Sequence, residues 1–436
     1  MTPTRLRSRV AQLARIAGSG RGIAVGALFA MVAALALQPA TRAQEPALTP
    51  EERAQVQAEA VAQAARADKL LKARDFAGAL ALYEAERASR ARIGDRKYEA
   101  FAVRSAGCCR RELGDFDAAL DDFRAARELD ARGDDHGLEG YDWYLIGELE
   151  LIRERPAQAV KPLEAAVGLL STAIDRDHEC DARILLGRAR IRLDEPAAAV
   201  AHLERALDLS ETLRDARRRA LAAYERGRAA YFLGDAGLAV ERFEDALRGF
   251  IDQKRDEEAA SARNYLALAL WDLESDGAAR AQLEAARDDW LALGNLANHA
   301  AALERLALWA LDDEDFDQAC ALLRRALASR LEAGDDEGRI EPLSTLGATE
   351  SKRGDWKGAL AAYDEALKIA RDGPPERIVE LALRAAEAAR QTRDVKRSEA
   401  LIDQAERAAA KSADKTRLDA VRRSADLIRA LDIPDE

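Results

Sequence analysis

Tyr224, Arg228 and Tyr231 stand at i, i+4 and i+7, so on a helix they share one face and set two aromatic rings around a guanidinium. Such a face suits recognition, because arginine forks match carboxylates and tyrosine is a favoured anchor at binding surfaces. The competing reading is structural, with rings packed between helices and the arginine paired to a nearby acid. Other chemistry-bearing groups are sparse. The four histidines, His136, His178, His202 and His299, form no i, i+4 pair, and "DHEC" (177–180) gathers three metal-ligand types without partner ligands elsewhere. Acidic runs such as "DDEDFD" (312–317) read as solvated surface in a chain that is 33% charged. No phosphate loop of the G-x-x-x-x-G-K form is present. These residues predict no enzyme, no metal and no cofactor.

The elements that would position such faces are set by composition. Hydrophobic residues make up 48% of the 436-residue chain but aromatics only 5%, so a core must be built mostly from alanine and leucine. Both are strong helix formers, and β-branched or aromatic runs are scarce. The expected fold class is all-α.

The helices repeat. "LGDFDAALDDFRAA" (113–126) returns in outline as "RGDWKGALAAYDEA" (353–366), and its turn position recurs at Asp75, Asp115, Arg155, Glu195, Asp235, Ser275, Asp315, Asp355 and Asp394. Seven of these eight intervals are 40 residues and the last is 39. Four residues after each turn position, and eight before it, only Ala, Gly or Ser occurs. Two helices approach closely only where neither is bulky, so these positions mark the crossing of a helix A with a helix B. Eight residues after the turn stands a large apolar side chain, for example Phe123, Leu203 or Phe243, followed three later by alanine in all units but the first. The spacing predicts nine αα-hairpins. "GD" pairs such as Gly114-Asp115 supply a left-handed stop and then an N-cap, while Pro156 and Pro196 open helix B instead. One hairpin cannot bury its own apolar face, so the copies bury one another as a solenoid.

The small, large-apolar and alanine positions around the turn resemble tetratricopeptide repeats (TPR), in the longer 40-residue form, over residues 51–413. HEAT and armadillo arrays share the period but not this turn-centred spacing. The resemblance implies a right-handed superhelix whose concave wall is lined by helix A, with exposed positions eleven, seven and four residues before the turn. Those are Ile184, Arg188 and Ile191, then Tyr224, Arg228 and Tyr231, then Asn264, Leu268 and Trp271. Arg188, Tyr224, Arg228, Tyr231, Asn264 and Trp271 form the candidate peptide-binding patch, which Arg104, Arg111 and Tyr144 would extend. The implied partner is a protein or peptide carrying acidic groups. The asparagine and basic clamp with which members of this family hold chaperone tails is not reproduced.

The ends carry a further message. Residues 1–43 hold six arginines and no acid, followed within that stretch by "GIAVGALFAMVAALAL" (22–37), an apolar run shorter than the roughly 20 residues of a membrane span. This reads as a signal peptide cleaved after Ala43, which predicts an exported, periplasmic and soluble mature protein. A retained inner-membrane anchor is the alternative, and would make the chain a membrane-anchored assembly factor. Residues 44–50 read as a linker, "TPEE" (49–52) as a capping box, and 414–436 as a capping helix with a short tail. Loss of the leader takes the net charge from −12 to −12 − 6 = −18, which excludes general binding of nucleic acid. Cys108, Cys109, Cys180 and Cys320 are too few for a disulfide framework and read as small buried hydrophobes. The function expected is a non-catalytic scaffold, with a sensor or regulatory subunit holding a small ligand between repeats as the alternative; self-association is open.

Overall fold

The computed structural model describes residues 48–411 and 416–431; the leader (1–43) and the last five residues lie outside them. Among the described residues stand nineteen α-helices and no strand. They run α1 (Pro50–Lys72), α2 (Phe76–Ile93), α3 (Arg96–Glu112), α4 (Phe116–Ala131), α5 (His136–Ile152) and α6 (Pro156–Ala173). Then follow α7 (Arg176–Arg192), α8 (Pro196–Leu213), α9 (Ala216–Phe232), α10 (Ala236–Asp252), α11 (Asp256–Asp272) and α12 (Asp276–Ala292). The chain continues through α13 (Leu296–Asp312), α14 (Phe316–Glu332), α15 (Ile340–Arg353), α16 (Trp356–Ile369), α17 (Pro375–Gln391), α18 (Val395–Lys411) and α19 (Thr416–Arg429). None of these helices is long and apolar enough to cross a membrane.

Each hairpin pairs an odd helix (A) with the even helix that follows it (B), and its turn is closed by local hydrogen bonds. Eight of the nine turn positions are the N-caps of helix B, from Asp75 to Asp355. The ninth, Asp394, accepts the Arg397 N–H at 2.9 Å. Where the cap is aspartate its carboxylate takes an N–H three residues on, as Asp235 does from Leu238 at 3.1 Å. The residue before the cap is left-handed in every unit. Glycine fills it at Gly114, Gly234 and Gly354, as the "GD" pairs predict, but Arg74, Glu154, Asp194, Glu274, Glu314 and Arg393 adopt the same positive φ. The strain, roughly 1 kcal/mol for a non-glycine residue, is offset by closure bonds such as Glu154 N–H to Leu151 and Arg155 N–H to Glu150.

The crossing positions meet as spaced. A Cβ on Gly187 would lie 2.5 Å from Leu203, and one on Gly227 2.8 Å from Phe243. These are the residues eight before and eight after the same turn, and both large side chains are fully buried. Successive A helices also touch one another, α5 against α7 and α7 against α9, whereas successive B helices have no comparable contact among the described residues. The A helices therefore form the inner wall of the solenoid. The capping box of Thr49 and Glu52 opens α1, and α19 covers the last hairpin with Val421, Ala425 and Ile428. All four cysteines are unpaired; Cys109, Cys180 and Cys320 are buried and Cys108 half-buried.

Candidate functional site

Between α5, α7, α9 and α11 a cavity of about 350 Å³ opens on the inner wall. Its floor is apolar, built from Ile184, Leu185, Leu221 and Phe250, and Tyr144 and Tyr224 flank it. Tyr224 is held by aromatic neighbours: its ring meets Phe243 at 6.0 Å, Phe250 at 6.1 Å and Tyr265 at 5.9 Å. Burial raises the Tyr224 phenol above its ordinary pKa, so it faces a ligand as a neutral hydroxyl.

Arg188 lines this cavity, but its charge is already engaged. Its Nε donates to Glu225 at 2.7 Å, and Arg228 Nη1 donates to the other oxygen of the same carboxylate at 2.8 Å. Glu225 is wholly buried. Burial alone would raise its pKa, yet the charges of Arg188 and Arg228 reverse that and hold it below the usual carboxylate value. Arg228 also stands 5.9 Å from the Tyr224 ring and 5.5 Å from Tyr265. The triad ties α7 to α9 and fixes where the tyrosines point.

The other sequence-predicted residues divide. Tyr144, Ile184, Arg188 and Tyr224 come together in the cavity, whereas Arg228, Tyr231, Asn264 and Trp271 lie outside its lining. Ile184, at 3% exposure, reaches the groove only as part of the cavity floor, and Ile191, at 6%, corrects the expectation that it faces the groove: it packs against neighbouring helices. Arg104 is 6% exposed, and its guanidinium is engaged by Asp142 (Nε to Oδ1, 2.5 Å) and Asp130. Arg111 donates to Glu148 at 2.5 Å, and Tyr144 Oη donates to the same carboxylate at 3.1 Å. Asn264 is half-buried, and Trp271 stacks flat on Trp309 at 4.2 Å.

Sequence reasoning missed Arg217, Arg255, Glu258 and Ser261, all of which line the cavity. Arg255 Nε donates to Glu258 at 3.0 Å. Arg217 is exposed and makes no ion pair among the described residues. The signal for it was present: the stripe Tyr224, Arg228, Tyr231, continued backward at the same spacing, passes through Leu221 and Arg217. Among the described residues no three His, Cys, Asp or Glu side chains converge as a metal site.

A tetratricopeptide-repeat family model matches residues 298–372. The chain is similar in structure to a Signal Transduction ATPase with Numerous Domains (STAND) protein with a tetratricopeptide repeat sensor, from Pyrococcus horikoshii. That likeness has 14% identity and a TM-score of 0.60, and covers 84% of this chain and 55% of that one. It is also similar to the apo form of the quorum sensor NprR from B. thuringiensis, at 16% identity and a TM-score of 0.52, covering 71% of this chain and 87% of that one. At these identities the likeness is one of fold. No curated protein matches the chain. The two hairpins that the family model matches are tetratricopeptide repeats, and the other hairpins are built on the same turn and crossing positions.

Proposed function

We propose that the chain is a non-catalytic binding scaffold that takes an extended segment of a protein or peptide along its inner wall. The observation that carries this reading is the cavity between α5 and α11, with an apolar floor, two neutral tyrosines and a rim of charged groups. A few oriented polar groups around an apolar floor are what a recognition pocket requires. An acidic group on the ligand would be met by Arg217, since Arg188 and Arg228 are held by Glu225. The leader read from residues 1–43 puts this activity in the periplasm, with a membrane-anchored form as the alternative. The tetratricopeptide repeat of the STAND protein is described as a sensor and NprR as a quorum sensor, which favours ligand recognition as the use of this fold.

The test is a pull-down from envelope extract with the parent chain and with the double variant Arg217→Glu, Ser261→Arg. Both residues lie at the rim and neither spans two helices by an ion pair, so circular dichroism should be unchanged. A partner retained by the parent and reduced at least ~10-fold on the variant supports the cavity as its seat. Equal retention places recognition elsewhere. Retention of no protein, with thermal stabilisation by a small metabolite that the variant abolishes, would turn the reading toward the sensor.

A further inference from the structure

Beyond Tyr224 the inner wall turns apolar. Four residues before the turn stand Tyr231 in α9, Trp271 in α11 and Leu311 in α13; seven before it stand Leu268 and Leu308. Phe232 adjoins Tyr231, and Phe232 and Leu308 are 49% and 47% exposed. The side chains are continuous across the three helices: Trp271 lies on Trp309 of α13, and Tyr231 packs edge-on against Tyr265 of α11 at 6.3 Å. An exposed apolar strip of this kind is an interaction surface in a soluble chain.

The turns that edge the strip are acidic. Segments 231–237, 271–279 and 311–319 together contain nine Asp or Glu (one, three and five) and no Lys or Arg. Asp235 and Asp315 cap helices. Asp313 and Asp317 pair with Arg280 and Arg353, and the Arg280 guanidinium stands over the Trp271 ring at 5.3 Å. Asp272, Glu274, Asp276, Asp312 and Glu314 are exposed and make no ion pair among the described residues. The flanking turns differ: 191–197 mixes Arg192 with two acids, and 351–357 carries Lys352, Arg353 and Lys357 against Asp355. Arg305, on α13, is an exposed cation close enough to the strip to act on the Tyr231 hydroxyl. The unpaired acids of this rim therefore stand at the two turns that follow α11 and α13, beside Leu268, Trp271 and Leu308.

We infer that the inner wall of α9, α11 and α13 seats an amphipathic segment of a partner protein in which apolar side chains are interspersed with lysine or arginine. The apolar groups cover Phe232, Leu268, Trp271 and Leu308, and the cations meet Asp272, Asp312 and Glu314 along the edge. This rests on the reading of the inner wall as the binding surface and adds the chemistry of what it binds.

Two labelled probe peptides test it, one of leucines and lysines patterned on one helical face, the other with glutamate for every lysine. Binding to the full chain is read by fluorescence anisotropy at 150 mM salt. Three variants are compared: a rim variant (Asp272→Asn, Asp312→Asn, Glu314→Gln), a strip variant (Phe232→Ser, Leu308→Ser), and a control neutralised on outer helices (Asp121→Asn, Glu128→Gln, Glu241→Gln). The lysine peptide should bind at least ~10-fold tighter than the glutamate peptide. It should weaken ~10-fold on the rim and strip variants and less than ~2-fold on the control. If the rim and control variants behave alike, the attraction is general to an acidic protein and the proposal falls. If the glutamate peptide binds better and is lost from the strip variant, the charge assignment falls while the inner-wall reading stands. Binding that no strip change affects, or no binding of either peptide, overturns the proposal; the first of these counts against the inner wall as well.

Discussion

Replacing Glu225 by leucine is expected to destabilise the central repeats by about 3–5 kcal/mol, and replacing Arg188, Glu225 and Arg228 together by Met, Leu and Met to recover most of that loss. The asymmetry follows from burial. Glu225 has no exposed surface, and both its oxygens accept from arginines, so its removal strands two guanidiniums side by side. Arg228 Nε already lacks a partner. With all three charges gone, the site closes as an apolar contact between α7 and α9. The sign with pH is fixed: because the carboxyl is held below its ordinary value, its stabilisation is full at neutral pH and is lost only as pH falls through that depressed value. Urea unfolding followed by circular dichroism reads both variants. A single variant within ~1 kcal/mol of the parent would mean that the triad does not join the repeats.

The second large effect belongs to the junction of α3, α4 and α5, and it has the opposite pH sign. Asp130 and Asp142 are both buried, both bonded to Arg104, and hydrogen-bonded to each other, so one cation serves two carboxyls. Burial raises Asp142 most, from 3.8 to about 7, and raises Asp130 as well; the bonds from Arg104 oppose this without cancelling it. A raised carboxyl stabilises fully below its unfolded pKa and withdraws that stability as pH climbs through the folded value. Between pH 4 and pH 8 the junction should therefore lose on the order of 2–4 kcal/mol. Asp142→Asn, whose amide still donates to Asp130 and accepts from Arg104, should match the parent at pH 5 and exceed it at pH 8. Arg104→Met should be the reverse, with a loss of roughly 3–5 kcal/mol at pH 8 that shrinks at pH 5 as the carboxyls take up protons. Thermal unfolding at the two pH values decides it, and parallel curves for parent and Asp142→Asn would remove the shared proton from the account.

The hairpins were legible because their determinants are local and repeat. Asp115, Asp235 and Asp355 cap the helices their positions predict, and Gly187 and Gly227 meet the large residues assigned to the same turn. Glu154 and Glu274 were not legible as left-handed residues, since nothing in a glutamate marks positive φ; closure bonds impose it. The site was half legible for a geometric reason. Successive A helices are staggered, so ion pairs along the inner wall join residues 37 apart, Arg111 to Glu148 and Arg188 to Glu225. A search at the 40-residue period looks one helical turn too far and sees free arginines where the fold has paired ones. Arg217 and Ser261, by contrast, lie on the predicted stripe extended toward the helix N-termini, where the cavity opens.

The account's central claim is that the inner wall does the binding. A photo-crosslinking side chain placed in turn at inner positions Leu221, Ser261 and Leu308, and at outer positions Asp121 and Glu241, tests it most directly in cells expressing the full chain. The account predicts adducts of common mass from the inner positions and none from the outer ones. Adducts from Asp121 or Glu241, with the inner positions silent, would contradict it.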